Sequence, residues 1–374
     1  MNTCISNTCG FLYKHFVKRV FFQIDPELVH TQMVHFGELC GKLPPILNLF
    51  KNIYSYADPG LNQNIAGIQF TNPIGLAAGF DYEARLTQTL SYIGFGFGTV
   101  GTITNMPYGG NPRPMLGRLP KSRSLMVNKG FKNQGAKVVA QKLGKLTFPY
   151  PVGVSIGRTN SLTLKNQKQS IADILAAYQL FEQSNVNHAY YELNISCPNL
   201  LGDITFYPPR NLSDLLIEVK KLKLKKPLFI KMPREKSDAE FLAMLEVLVK
   251  FPVAGIIIGN LQKNRKDASL DANEVAKFAK GYFSGKPCWN RSNELIALTY
   301  KKYKQKLKII GCGGVFSAID AYTKIKLGAS LVQLITGMIF EGPQVIGAIN
   351  SGLVQLLKKD GFSHISQAVG VNIL

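Results

Sequence analysis

The stretch Tyr191-Glu-Leu-Asn-Ile-Ser-Cys-Pro-Asn199 runs from an apolar, β-rich segment straight into a cluster of polar side chains. A buried strand has no structural need for asparagine, serine and cysteine at the point where it ends. Cys197 carries an ionisable thiol, and Pro198 favours extended backbone in the residue before it, which gives the sulfur a defined direction. The stretch therefore predicts the end of a buried strand that carries a proton-transfer group.

Seven other apolar, β-rich segments alternate with amphipathic helical segments along the chain. The eight predicted strands are residues 74–79, 97–101, 152–156, 190–195, 228–232, 253–258, 307–311 and 331–335. The predicted helices between them include residues 170–183, 212–222, 238–250, 293–303 and 317–327. Alternation of this kind indicates βα units and a parallel sheet. Eight such units within residues 66–374 favour an α/β fold of the closed (β/α)8 TIM-barrel type over an open doubly wound sheet.

The first 65 residues contain no βα repeat and are predicted to be a separate helical segment. They indicate two helices followed by a linker around residues 58–60. The first helix includes residues 11–22, where aromatic side chains alternate with basic residues and histidine, as in helices at a membrane interface. The second, about residues 26–43, is apolar with little charge, so packing on the barrel and contact with a membrane both remain open.

Composition excludes several classes of protein. With 374 residues and 46% hydrophobic residues, the chain has enough apolar surface for a globular core. Six cysteines stand without CxxC pairs or partnered histidines, which argues against a metal site and against disulfides and favours a reducing cytoplasm. No apolar run approaches the ~20 residues that span a bilayer, and the N-terminus lacks the pattern of an export signal.

The chain is strongly basic, with 44 Lys and Arg against 23 Asp and Glu and a net charge of +21. Such a charge attracts anionic ligands, anionic lipids or nucleic acid. The lysine-rich stretches at residues 220–226 and 301–308 lie at predicted helix ends and turns, where solvated lysines are ordinary. Charge alone therefore does not decide the partner, and no nucleic-acid partner is expected.

In a parallel barrel the catalytic groups lie at the C-terminal ends of the strands. The predicted ends all carry small, polar or ionisable residues: residues 78–81, Gly101 and Thr102, Ser155, residues 194–199, Lys231, Gly259 and Asn260, residues 311–314, and Thr336 and Gly337. A barrel with only a structural role would vary these positions freely. The pattern predicts an active site at this end.

Glycines follow the seventh and eighth predicted strands, where barrels commonly bind phosphate through backbone N–H groups. Gly313, Gly314, Thr336 and Gly337 fit this role, and residues 281–285 form a third glycine loop. One such cluster is usually a turn, but clusters on both loops favour a phosphorylated cofactor.

Lys231 ends a strand of buried apolar residues, and a buried ammonium is costly unless it meets an anion. Among the neighbouring predicted strand ends, Asp81 alone is acidic, so we expect an anion on a bound ligand as the partner. The alternative is a lysine side chain that extends to the rim of the barrel.

These residues, in this order, resemble the dihydroorotate dehydrogenases, FMN enzymes of pyrimidine synthesis. The resemblance covers nearly the whole chain: residues 22–30 (FQIDPELVH), 72–81 (NPIGLAAGFD), 94–102 (GFGFGTVGT), 193–199 (LNISCPN), 230–233 (IKMP), 284–287 (SGKP), 311–314 (GCGG) and 328–333 (GASLVQ). The DPExxH segment and the helical extension are similar to the membrane-associated, quinone-reducing class 2. In that class the extension forms an apolar tunnel from lipid to flavin.

The resemblance implies roles for individual residues. It gives Cys197 the role of base and places Lys231 at the flavin ring. Residues implied for FMN are Ala78, Gly79, Thr102, Ser155, Asn194, Lys231, Gly259, Ser284, Gly285, Gly313, Gly314, Ile335 and Thr336. Residues implied for dihydroorotate and orotate are Asn128, Lys129, Gly130, Phe131, Asn194, Asn199 and Asn260. It further implies a quinone acceptor and peripheral contact with the cytoplasmic face of the cell membrane.

Several positions depart from the class 2 pattern. Cys197 replaces the class 2 serine, as in the soluble class 1, and a thiol with an unperturbed pKa of ~8.5 needs less help to ionise. Tyr82 stands at the position of the family's substrate-binding lysine, and Val127 stands at the position of a family asparagine. Lys129 and Asn128 are therefore expected to supply the missing charge and the missing amide. In addition, Leu261 stands where a hydroxyl residue often follows Asn260 in the family.

The resulting expectation is oxidation of dihydroorotate, with Cys197 removing the C5 proton while the C6 hydride goes to FMN. Alternatives are the same reaction with fumarate or NAD as acceptor, and a flavin enzyme of another dihydropyrimidine, such as the tRNA-dihydrouridine synthases. A non-enzymatic basic scaffold explains the polar strand ends poorly.

Overall fold

The computed structural model describes residues 3–373, with side chains from Ile5 onward. Its N-terminal part is a layer of helices: α1 (Thr3–Leu12), a π-helical turn (Tyr13–Val17), α2 (Lys18–Gln23), α3 (Pro26–Cys40) and α4 (Pro44–Tyr54). Asp25 begins α3 by accepting the N–H groups of Glu27 and Leu28 at 2.8 and 2.9 Å. The expectation of two helices here was wrong, because a proline pair begins the additional helix α4, whose first turn needs no N–H donor.

The strands are β1 (Gln63–Ile65), β2 (Ile68–Phe70), β3 (Ile74–Leu76), β4 (Phe97–Ile103), β5 (Leu116–Leu119), β6 (Ser124–Val127), β7 (Val152–Ile156), β8 (Tyr190–Asn194), β9 (Leu228–Lys231), β10 (Gly255–Ile258), β11 (Tyr282–Phe283), β12 (Lys308–Cys312) and β13 (Leu331–Leu334). Eight of them close into a parallel barrel in the order β3, β4, β7, β8, β9, β10, β12, β13. Every barrel strand overlaps a predicted strand, so the predicted (β/α)8 barrel is confirmed.

The remaining helices are α5 (Ala136–Leu143), α6 (Gln167–Glu182), α7 (Pro209–Lys221), α8 (Asp238–Leu248), α9 (Ala272–Ala276), α10 (Trp289–Tyr303), α11 (Ala318–Lys326), α12 (Thr336–Glu341) and α13 (Val345–Lys359). The five predicted helices correspond to α6, α7, α8, α10 and α11. Each has one apolar face; in α7, for example, Leu212, Leu215 and Leu216 are buried while the lysines at its end are exposed. This patterning is what a helix packed on the outside of a barrel requires.

The antiparallel hairpin β1–β2 closes the N-terminal end of the barrel. Ile65 and Phe70 pack there against Phe97, Tyr190 and Phe229, whose side chains fill the barrel interior. This apolar plug leaves the opposite end of the barrel for ligands.

At the C-terminal end, β5, β6 and β11 form a small three-stranded sheet that the sequence did not predict. The N-terminal helices attach to this end of the barrel. Glu27 of α3 accepts the N–H of Met115 at 2.8 Å, Arg118 of β5 donates to Ile24 O at 2.6 Å, and Tyr13 donates to Ile339 O at 2.7 Å. The helical layer therefore covers the mouth where the polar strand ends converge.

Candidate active site

A cavity of about 160 Å³ lies between the C-terminal ends of the barrel strands and the helical layer. Its walls include fourteen of the predicted site residues: Ala78, Gly79, Thr102, Lys129, Gly130, Phe131, Asn194, Cys197, Asn199, Lys231, Asn260, Ser284, Ile335 and Thr336. Six others do not line it: Asn128, Ser155, Gly259, Gly285, Gly313 and Gly314. We call this space the main cavity.

Lys231, at the end of β9, is 5% exposed and has a carboxylate neighbour inside the barrel. Its Nζ lies 3.8 Å from Oε1 of Glu192, which is on the adjacent strand β8 and fully buried. The expectation that no acidic residue other than Asp81 stood nearby was therefore wrong, because Glu192 precedes the strand end by two residues and points inward. At 3.8 Å the pair is too long for a good hydrogen bond, so Lys231 keeps donor capacity for a ligand.

Asp81 forms hydrogen bonds with backbone N–H groups and is not the partner of Lys231. Its carboxylate accepts the N–H groups of Arg85 and Leu86 at 2.7 and 2.9 Å. Burial raises the pKa of Asp81 to about 6, against the opposing effect of these hydrogen bonds. Asp81 thus shapes the turn after β3, which carries Phe80 and Tyr82 into the main cavity.

A chain of hydrogen bonds links Glu192 to the strand ends of β4, β7 and β8. Ser155 donates to Glu192 at 2.8 Å and lies 2.9 Å from the hydroxyl of Thr102, which accepts from Asn194 Nδ2 at 2.8 Å. Ser155 is fully buried in this chain. Its role in the structure is therefore to orient Thr102 and Asn194, which do line the cavity.

The substrate-binding asparagines predicted from the sequence are held by neighbours around the cavity. Asn194 Oδ1 accepts from the Ser196 hydroxyl at 3.0 Å, and that hydroxyl accepts from Asn260 Nδ2 at 2.8 Å. Asn199 donates to Val127 O at 3.1 Å. Side chains oriented in this way present a preformed set of amide groups to a polar ligand.

Cys197 is poorly ionised in this setting. Burial raises the pKa of its thiol to about 11, while the Asn199 N–H and the positive charges of Lys231, Lys263 and Arg158 act in the opposite direction. The easy ionisation expected for a cysteine is therefore not what the local environment favours. If Cys197 acts as a base, it needs the surrounding cations to lower the pKa of its thiol.

Asn128 and Lys129 differ in where their side chains point. Asn128 accepts from Asn111 at 3.0 Å and donates to Pro112 O at 3.4 Å, so its amide stabilises a loop and lies outside the cavity wall. This placement does not match the expectation that Asn128 replaces the missing family amide. Lys129 does line the cavity, with Nζ 4.1 Å from the centroid of the Tyr82 ring. Burial, followed by the charge of Lys132, lowers its pKa to about 7.

The helical layer contributes His30, which was part of a quoted motif but was not predicted as a site residue. Its ring stacks on Tyr82 with centroids 5.4 Å apart and meets Phe80 edge to face at 5.0 Å. Burial holds the pKa of His30 well below its usual value, so the ring is neutral. Apolar side chains of Leu116, Leu125 and Ile339 complete this side of the main cavity.

The predicted phosphate loops come together beside the end of β13. Ser284 and Thr336 place their hydroxyl oxygens 2.8 Å apart. Gly285 and Gly314 have φ values of +79° and +75°, and a Cβ on them would lie 2.4 Å from Arg123 O and 2.8 Å from the Trp289 Cβ. Glycine is required at both positions, because neither the backbone conformation nor the space allows a side chain.

The surface of the helical layer is unusually apolar. Thirteen of the nineteen exposed large apolar side chains in the described residues lie between Ile5 and Leu49, among them Phe11 at 57% and Phe16 at 60% exposure. Within residues 3–373, no helix has the length and apolar character needed to cross a bilayer. The same residues contain no cluster of three or more His, Cys, Asp or Glu side chains suited to a metal ion.

Comparison with known proteins points in one direction. The family model described as "Dihydroorotate dehydrogenase" matches residues 60–357. A protein of a Nitratiruptor species named "Dihydroorotate dehydrogenase (quinone)" is 34% identical over 360 residues, covering 96% of this chain and 98% of its own. A Rippkaea orientalis protein of the same name is 36% identical over 338 residues, covering 87% and 88% of the two chains. The crystal structure of DHODH from Eimeria tenella in complex with ferulenol superposes with a TM-score of 0.80 at 28% identity, covering 93% of this chain and 96% of that one.

Proposed function

The chain belongs to the dihydroorotate dehydrogenase family, and on that premise we propose that it oxidises (S)-dihydroorotate to orotate in pyrimidine synthesis with a quinone as electron acceptor. The observation that carries the proposal is the main cavity itself. Cys197, from the loop after β8, and Lys231, from the end of β9, line one space that also reaches His30 of the helical layer. A proton acceptor, a cation and a route to the helical layer are the three features that this reaction needs.

FMN is the cofactor that we assign to the main cavity and to the glycine loops beside it. Lys231, Asn194 and Thr102 would hold its ring, and Ser284, Thr336 and the glycine loops at Gly285 and Gly314 its phosphate. The fit rests on a buried ammonium whose 3.8 Å separation from Glu192 leaves it donor capacity for a ligand, and on the paired hydroxyls of Ser284 and Thr336 in the cavity wall. When bound, FMN supplies the hydride acceptor and, later, the electrons for the quinone.

The chain's own residues supply substrate binding and the proton acceptor. Asn194, Asn199 and Asn260 would hold the dihydropyrimidine ring through amide hydrogen bonds. Cys197, as thiolate, takes the proton from C5 of dihydroorotate and becomes a thiol. Lys231 provides positive charge where negative charge develops during hydride loss, which is the kind of electrostatic stabilisation that often dominates catalysis.

Lys129 would take the role of the family's substrate-binding lysine, because Tyr82 occupies that position in this chain. Its Nζ lies over the Tyr82 ring and within the main cavity, and no carboxylate of the described side chains forms an ion pair with it. A carboxylate brought by orotate would restore its full charge, since an anion nearby favours the ammonium form. In this proposal Tyr82 orients Lys129 by a cation–π contact.

The helical layer would give the quinone access to the flavin. His30, Leu116, Leu125 and Ile339 form an apolar wall toward that layer, and the exposed apolar side chains between Ile5 and Leu49 would rest in the lipid surface. The protein would then lie peripherally on the cytoplasmic face of the cell membrane. The alternative of a soluble acceptor has one observation in its favour, the class 1-like Cys197.

The test is reduction of the bound flavin. The purified protein is expected to be yellow, and dihydroorotate should bleach its flavin absorbance under anaerobic conditions. Reoxidation is then followed with a ubiquinone or menaquinone analogue, fumarate or NAD. A colourless protein that takes up no FMN would overturn the proposal. Reoxidation by fumarate or NAD, and not by the quinone analogue, would show that the electron acceptor is a soluble molecule.

A further inference from the structure

A second, smaller cavity adjoins Cys197. It has a volume of about 110 Å³ and shares Cys197 and Asn194 with the main cavity, so the thiol lies in the wall between the two spaces. Its other walls include Arg158, Leu200, Thr205, Tyr207 and Lys263. We call it the rear cavity, and it has room for several water molecules.

Arg158 is the unusual group in the rear cavity. It is 3% exposed, and its Nη2 donates to Leu201 O at 2.6 Å, whereas Nε and Nη1 have no hydrogen-bond partner among the described residues. Asp173 forms no ion pair with it; its two oxygens accept the N–H and hydroxyl of Thr159 at 2.7 and 2.8 Å, and its charge only partly opposes the lowering of the Arg158 pKa by burial. Burying guanidinium N–H groups without partners is costly, so the cavity calls for a polar occupant.

The other charged and titratable groups around the thiol are already engaged or lie on its other side. Lys263 pairs with Glu235 at 2.6 Å, Lys231 faces the main cavity near Glu192, and burial raises the pKa of Tyr207, so its hydroxyl is neutral. Arg158 is therefore the cation of this group without a carboxylate partner. The Asn199 N–H, Lys231 and Lys263 lower the pKa of Cys197 against the larger effect of burial, and the charge of Arg158 adds a smaller effect in the same direction.

We propose that the rear cavity is the proton exit of Cys197 and that Arg158 is its positioning residue, which orients water there and stabilises the thiolate. The inference rests on the proposed function, in which Cys197 accepts the C5 proton. After that step the S–H bond breaks, the electron pair stays on sulfur, and the proton passes to a water oxygen in the rear cavity. It then reaches solvent past the loop of residues 200–205, where Leu201 is 39% exposed.

The first experiment measures the thiolate without any substrate. The alkylation rate of Cys197 by iodoacetamide is followed by peptide mass analysis in the flavin-loaded full chain between pH 7 and 10. Arg158→Met, which keeps an unbranched apolar side chain but removes the charge and the hydrogen-bond donors, is expected to slow alkylation about tenfold at pH 8.5. Arg158→Lys keeps the charge and should restore most of the rate, while Arg210→Met, at an exposed arginine, should not change it. Equal rates in Arg158→Met and Arg158→Lys, whether fast or slow, would overturn a role for the charge.

The second experiment follows the proton. In a single turnover with dihydroorotate, a pH indicator dye reports proton release while absorbance reports flavin reduction. Arg158→Met is expected to delay proton release about tenfold relative to the unaltered chain, and an unchanged release rate would overturn the exit. If dihydroorotate fails to reduce the flavin of the unaltered chain while the alkylation difference persists, the proposed function is wrong and the effect of Arg158 on the thiolate stands.

Discussion

The barrel and the helical layer of residues 3–54 differ in how extensively they are held in place. The barrel strands are joined around the whole circle by backbone ladders, and their side chains form a continuous apolar core. The helical layer attaches through separate polar contacts, such as the Arg85–Glu38 ion pair and the bond from Arg118 to Ile24 O, and through a smaller number of apolar contacts, such as Val34 in the barrel core and Phe22 on Phe340. It leaves most of the exposed large apolar side chains of the described residues on its own surface.

This difference matches the work that each region is proposed to do. Proton transfer needs groups held within a fraction of an ångström, and a closed sheet provides that rigidity. Acceptor exchange needs a region that contacts lipid and yields locally, and regions with few buried contacts open most easily. We therefore expect substitutions in the barrel to change proton transfer and substitutions in the helical layer to change access of the electron acceptor.

The largest effect is expected from Cys197→Ala in the barrel. Removing the proton acceptor should slow flavin reduction by dihydroorotate by about a thousandfold, within the range known for general bases, while FMN stays bound. Stopped-flow absorbance measures the rate, and Cys9→Ala in the helical layer serves as the matched control with an unchanged rate. Comparable slowing in Cys9→Ala would show that the two regions do not separate as described.

Membrane binding should depend on the helical layer alone. Replacing Phe11 and Phe16 together by serine removes two exposed aromatic side chains, each worth about 1.5–3 kcal/mol if fully buried. We expect partition onto lipid vesicles to weaken about a hundredfold with no change in flavin reduction by dihydroorotate. Co-sedimentation measures this, with Ile319→Ser, at a 68% exposed residue of α11, as control. Equal losses in both variants would remove the helical layer as the lipid contact.

Lys129→Met should weaken orotate binding by about tenfold or more, since hydrogen bonds to charged groups contribute roughly 1.5–3 kcal/mol. Titration of the flavin spectrum with orotate gives the dissociation constant. Lys129→Arg should recover part of the affinity, and Lys137→Met on the outer surface of the barrel should leave it unchanged. Unaltered binding in Lys129→Met would mean that another residue holds the carboxylate.

Flavin reduction should rise with pH. The base must be a thiolate, and burial raises the pKa of Cys197 to about 11, so the reactive fraction grows with pH below that value. We expect about a tenfold gain per pH unit between pH 7 and 9, in single-turnover rates at saturating substrate. A flat profile over this range would show either that ligand binding lowers the pKa or that Cys197 is not the base.

The smallest effect is expected at the boundary between the regions. Glu38→Gln breaks the 2.5 Å ion pair with Arg85, whose partners are about a quarter exposed. Solvent screening limits such a pair to less than about 1 kcal/mol, so the melting temperature should fall by only a few degrees. A large loss of stability, or a loss of flavin reduction, would show that the helical layer is coupled to the barrel more tightly than its contacts indicate.

Local patterns in the sequence were enough to predict the barrel. Apolar β-rich segments between amphipathic helices identified all eight barrel strands, because the side-chain period and composition of such elements are set residue by residue. They did not identify β5, β6 and β11 at the mouth, which are two to four residues long and carry too little periodicity. They also missed α4, whose initial prolines occur equally in turns.

Site residues could be predicted where a reactive side chain lies at the end of a strand, but not where two segments distant in sequence come into contact. Cys197, Lys231, Asn194 and Asn260 line the main cavity as expected. Neither the carboxylate near Lys231 nor the histidine on Tyr82 was expected, since each contact joins residues separated by about forty or more positions.

The sequence by itself determined which strands form and which reactive groups stand at their ends, because both depend on neighbouring residues. Only the tertiary structure decided which groups face one another. The side chain of Asn128 points toward a loop, whereas that of Lys129 points into the main cavity. Cys197 lies between two cavities, and the second contains the guanidinium of Arg158, two of whose nitrogens have no hydrogen-bond partner among the described residues. The reason is physical: burial and charge pairing depend on everything within a few ångströms, and the closure of the barrel chooses those neighbours.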